Sequence, residues 1–153
     1  MATIEIKGLQ GVINRLRALG KDLDMVVDNS LHKSAYNVKR QTENNIEAVG
    51  AVDTGRLRNS IVVEKVDKCR YAVGTNVEYA PPVEFGTGFK GDPAVAHTSK
   101  IKWVYCDPGG QFHTAYPQPA RPFLRPAFEA KRQEITDDLV RDILKAATGG
   151  DNR

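Results

Sequence analysis

Residues 21–49, KDLDMVVDNSLHKSAYNVKRQTENNIEAV, contain no glycine or proline, and Leu23, Val27, Leu31, Ala35, Val38, Thr42 and Ile46 recur every three or four positions. That spacing holds them on one face of a 3.6-residue helix, so the stretch predicts a long amphipathic helix of roughly 40 Å at 1.5 Å per residue. Such a length suits an element that buttresses an assembly, but the apolar stripe reads first as the main core helix. Upstream, Thr3–Ile6 alternates like a short strand, and Leu9, Val12, Ile13 and Leu16 follow at helical spacing up to Gly20.

Downstream the pattern changes. Asp53-Thr54-Gly55 can turn the chain, because Asp and Thr side chains bond nearby backbone and Gly accepts positive φ. Ile61–Val66 and Arg70–Gly74 are β-branched and aromatic runs around Asp67-Lys68, which predicts an antiparallel hairpin. All eight prolines lie between Pro81 and Pro126. Within that region Gly86-Thr87-Gly88-Phe89-Lys90-Gly91 reads as a flexible hinge, and Ile101–Cys106 alternates as a strand. After Pro122 and Pro126, residues Phe128, Ile135, Leu139, Ile143 and Ala147 mark a final helix that stops near Gly149. The expected fold is α+β: a small antiparallel sheet packed against a long N-terminal helix and a C-terminal helix. It forms one domain over 1–153, with a long proline- and glycine-rich loop at 86–119.

The charge balance, 22 Lys and Arg against 19 Asp and Glu, leaves only +3, too little for a dedicated nucleic-acid binder. With 41% hydrophobic and 27% charged residues the chain has the composition of a folded protein. No stretch has the apolar length of a signal peptide or a membrane span, so synthesis and retention in a cytoplasm are expected, with no membrane partner. Two cysteines, Cys69 and Cys106, fit a reducing compartment.

Catalytic readings are weak. Asp53-Thr54-Gly55 is also the signature of aspartic proteases, which would need a dimer to pair two such carboxyls. Arg56 beside the dyad would hold both ionised and remove the acid form that mechanism needs. A metal site from Cys69, His97, Cys106 and His113 lacks the close ligand pairs of structural zinc. Ser60 and Ser99 sit in no nucleophile elbow, and the glycines at 86–91 lack the Lys-Ser/Thr ending of a phosphate loop. No catalytic residue, cofactor or metal is therefore expected.

Asp53–Ile61 (DTGRLRNSI), Val73–Ala80 (VGTNVEYA), Val83–Thr87 (VEFGT) and Pro119–Ala127 (PARPFLRPA) appear in that order. In order and spacing they resemble the tailed-bacteriophage tail-completion, or head-to-tail joining, proteins of the phage neck, the tenth-gene-product-like tail-component family. The resemblance implies a non-enzymatic virion protein, an α+β subunit that assembles in the host cytoplasm into a homo-oligomeric ring, with a hexamer among the possible stoichiometries. That ring would contact the tail-tube protein and the head-connector or stopper protein, with only incidental contact to DNA in the lumen. A head-side adaptor or minor capsid protein is the alternative, and a dimeric protease using Asp53 a more distant one. The expected interface residues are Arg56, Arg58, Glu84, Trp103, Tyr105, Phe112, Tyr116, Arg121 and Arg125.

Overall fold

Helix α1, Asp22–Ala48, carries the predicted stripe into the interior of a computed structural model that describes residues 4–5, 20, 22–50, 55–96, 100–107 and 109–147. Val27, Leu31, Ala35, Val38, Thr42 and Ile46 are all at most 3% exposed. Thr42 is accommodated there because its Oγ1 donates to Val38 O at 2.9 Å, which pairs that hydroxyl. Gly50, at φ 63°, ends the helix in the left-handed conformation that glycine adopts without a Cβ clash. The expectations for Leu9–Leu16, Asp53, Thr54, His97, Ser99 and Gly149 fall outside the described residues.

The sheet is formed by β1 (Ile4–Glu5), β2 (Val62–Asp67) and β3 (Arg70–Gly74), in the order β1-β3-β2. β3 is the central strand, antiparallel to both neighbours, with Val73 opposite Val63 and Ile4. Its Tyr71, Ala72 and Val73 are buried, whereas β2 at the edge is mostly exposed. The β2–β3 hairpin follows the sequence expectation closely, with its turn at Lys68-Cys69. Helix α2 (Arg56–Asn59) precedes β2, and α3 (Ala80–Phe85) follows β3. A second antiparallel pair, β4 (Trp103–Cys106) and β5 (Phe112–Ala115), stands apart within 86–119, and the closing α4 (Leu124–Ala147) packs along α1. Leu57, Ile61, Phe123, Leu124, Ala127, Ile135 and Leu139 complete one core with the stripe of α1. Burying a side chain of this class stabilises a fold by about 1.5–3 kcal/mol.

Asp28 ties α1 to the hairpin. Its Oδ2 accepts from Lys65 Nζ at 2.7 Å and Tyr71 Oη at 3.0 Å, and its Oδ1 from Cys69 N at 3.1 Å. Desolvation alone would raise this carboxyl, but the bonds from Lys65, Tyr71 and Cys69 outweigh it and hold it below 3.8. A folded-state value below the unfolded one contributes stability that is present above pH 3.8 and lost as pH falls through the folded value. Asp28→Asn is therefore expected to cost about 1–2 kcal/mol at pH 7 and to flatten the acid limb of the stability curve, as read by denaturant unfolding across pH.

Candidate functional site

The four sequence motifs meet in pairs. In the first pair, Gly55 at φ 72° opens the single turn of α2, which drops Leu57 and Ile61 into the core at 1% and 0% exposure. Ser60 Oγ donates to Leu57 O at 2.7 Å and lies 2.6 Å from Thr75 Oγ1, which in turn accepts from Val77 N at 3.1 Å. Since the Ser60 proton goes to Leu57, Thr75 is the donor between the hydroxyls. The chain thus clamps 55–61 against 73–77 through two hydroxyls fully used by their surroundings.

The second pair joins 83–87 to 119–127. Tyr79 precedes α3, whose prolines 81 and 82 fall in its first turn, where a missing N–H has no intrahelical bond to lose. One turn later Glu84 points inward at 1% exposure. Its Oε2 accepts from Phe123 N at 2.7 Å and Leu124 N at 2.9 Å, and its Oε1 from Arg125 N at 3.0 Å. These amides open α4, and the next residue, Pro126, has no N–H. One carboxylate from a distant helix therefore satisfies the amides that the start of α4 leaves unbonded, and its charge sits at the positive end of the helix dipole. Arg125 Nε lies 3.4 Å from Glu84 Oε1, and its Nη2 2.6 Å from Asp92 Oδ2. The guanidinium also lies over Phe85, 5.1 Å from the ring centre. Asn45 of α1 closes the junction by donating to Phe123 O at 2.9 Å.

Gly86 and Gly88 are required by closeness. A Cβ on Gly86 (φ 72°) would stand 2.6 Å from Ala120 N, and one on Gly88 (φ 60°) 2.6 Å from Lys100 O and 2.7 Å from Pro117 Cγ. The segment expected to be a hinge is a packed crossing, tied by Thr87 N to Gln118 O at 2.8 Å and by Arg121 N to Val83 O at 2.8 Å. Both ends of the β4–β5 hairpin are pinned there.

The hairpin itself faces outward. Val104 opposes Thr114, Tyr105 opposes His113 and Cys106 opposes Phe112. Asp107 organises its turn: Oδ1 accepts from Gly109 N at 2.8 Å and Gln111 N at 2.9 Å, and Oδ2 meets His113 Nε2 at 2.8 Å. The His113 bond, followed by the backbone bonds, holds the Asp107 carboxyl below its ordinary value. Beyond the turn lie Ile101 at 73%, Val104 at 63%, Phe112 at 78% and Tyr116 at 64% exposure. A two-stranded hairpin is marginal in water without a covered face, and this one leaves large apolar side chains exposed.

Of the nine residues expected at an interface, Tyr105, Phe112, Tyr116, Arg56 and Arg121 are exposed and Trp103 is half-buried. Arg58 places Nε 2.7 Å from Glu47 Oε1 as an ion pair, without hydrogen-bond alignment. Glu84 and Arg125 are instead engaged within the chain, the first as a buried helix cap and the second as its counter-charge. Thr75, within the 73–80 motif, and Asn45 and Asp92, which carry no local sequence signal, complete the junctions. Cys69, in the β2–β3 turn, is buried, and Cys106, on β4, is exposed. Among the described residues no group of three His, Cys, Asp or Glu side chains is placed to hold a metal ion, and no helix is long and apolar enough to cross a membrane.

Residues 10–86, half of the chain, match the model of the HK97-gp10-like family, described as "Bacteriophage HK97-gp10, putative tail-component". The chain belongs to this family. The match takes in α1, α2, the β2–β3 hairpin, α3 and Gly86, and ends before the β4–β5 hairpin and α4. Comparison with curated proteins and with solved structures gives no match.

Two substitutions test the junction by denaturant unfolding. Glu84→Gln turns one acceptor into a donor facing backbone amides and leaves Arg125 with less counter-charge, so a loss of about 3 kcal/mol is expected. Gly86→Ala is expected to cost well above the roughly 1–3 kcal/mol of backbone strain alone. Gly110→Ala, at φ 83° with nothing within 4 Å, should stay inside that range; equal losses at the two glycines would contradict the packed crossing.

Proposed function

We propose that this member of the HK97-gp10-like family is a structural protein of the bacteriophage neck, whose copies form a ring that completes the tail tube and joins it to the head connector. Family membership supports a tail component and thus a place in the virion. The observation that carries the finer reading is the β4–β5 hairpin, an apolar projection fixed at both ends to a rigid junction. The motifs spend their polar groups on the fold, with Ser60, Thr75 and Glu84 bonded to backbone or to each other, so the surface left for function is one that binds other proteins. A closed ring requires two different complementary surfaces on each subunit, and an exposed aromatic projection is one of them.

Electron microscopy of lysates from a phage with an early stop codon in this gene tests the reading. Filled heads beside unattached tails are expected, with whole particles restored when the protein is supplied in trans. Uncleaved or absent capsids would instead indicate a head-side or proteolytic role. Phe112→Asp, at a position 78% exposed, should leave helix content and melting temperature unchanged yet fail to restore particles; full rescue by that variant would remove the hairpin from assembly.

A further inference from the structure

β2 is the outer strand of its sheet, and on that side it pairs with no described strand. Its residues alternate between the two faces, as any strand's do. Lys65 reaches inward to Asp28, and Val63 packs on the core. Val62, at 42% exposure, shares the outer face with the exposed Glu64, and Val66, at 51%, follows where the register shifts. The register is regular from Val62 to Lys65 and shifts between Lys65 and Asp67. Four regular residues are thus available on an open edge, the length of β4.

The β4–β5 hairpin has the matching character. Trp103 and Tyr105 lie on one of its faces, with His113 stacked on Tyr105 at 5.4 Å. The other face carries Val104, Cys106, Phe112 and Thr114, all exposed, and Lys102 continues its alternation just before β4. Neither Glu64 nor Lys102 has an ion-pair partner among the described residues. One edge is therefore apolar–acidic–apolar and the other basic–apolar. Two β2 edges brought together would set Glu64 against Glu64, and two β4 edges Lys102 against Lys102. Of these three pairings only the unlike one attracts, and like-charge juxtaposition disfavours the other two. An unlike, head-to-tail contact is the kind that closes into a ring.

We infer that the β4 edge of one copy adds to the β2 edge of the next, extending the sheet across the subunit boundary with Lys102 beside Glu64 and Val104 among Val62 and Val66. This rests on the ring proposed above and names its contact. Main-chain hydrogen bonds supply the affinity and the charge pair the polarity of the addition.

Glu64→Lys and Lys102→Glu test it, each alone and together in one chain, with assembly followed by analytical ultracentrifugation over a concentration series and fold by circular dichroism. Both sites are exposed and have no ion-pair partner among the described residues, so all three variants should fold as the wild type does. Each single variant is expected to assemble only at about tenfold higher concentration or more, and the double variant, with the pair reversed, to recover. Rings formed equally well by the single variants, or no recovery in the double variant, would overturn this contact while leaving the ring standing. A wild type that stays monomeric throughout the series would overturn both.

Discussion

The structure depends on one buried carboxylate. Glu84 takes the amides of Phe123, Leu124 and Arg125 at 2.7–3.0 Å, so the start of α4 is fixed by a residue forty positions earlier and not by its own flank. A charge at 1% exposure is tolerable only when hydrogen bonds and a counter-charge surround it, and here three amides and Arg125 do so. The arrangement orients α4 for its packing on α1. It also draws 117–120 across Gly86 and Gly88, closely enough that any Cβ there would meet backbone or Pro117. The motifs that distinguish this chain are thus explained by mutual contact: Pro126 removes an amide, Phe123 and Ala127 fill the core, and Arg125 balances Glu84.

Much of the fold was legible in the sequence because it rests on short-range periodicity. The stripe of α1, the β2–β3 hairpin and the apolar face of α4 repeat at 3.6 or 2 residues, and hydrophobic burial follows that repeat. Helix α2, of four residues, is too short to show a period. Strand β5 alternates in exposure, but His113 and Thr114 dilute its apolar content, and its pairing is set by the Asp107 turn. Glu84 reads as a surface residue because carboxylates usually are, and its partners lie in another element. One signal did exist: Phe123, immediately before α4, has no side-chain acceptor, so the helix carries no cap of its own and one must come from elsewhere.

The division of labour that results is physical. Bonded polar groups and close backbone crossings tie 55–88 to 117–127, while Ile101, Val104, Tyr105, Phe112 and Tyr116 cluster exposed apolar side chains between them. Rigid bases lower the entropy lost when such a surface binds, because the projection is already oriented. The family match covers residues 10–86, and the projecting hairpin lies beyond it. That is where connecting segments can vary in length and sequence without disturbing a core, and where partner choice can be encoded.

The most direct measurement of this account is electron cryomicroscopy of intact tails at side-chain detail. A ring of this chain at the head-proximal end, with each β4–β5 hairpin seated between adjacent copies and Glu84 buried within its own subunit, is the result it predicts. A tail end lacking the protein, or a ring whose hairpins face open solvent, would contradict it.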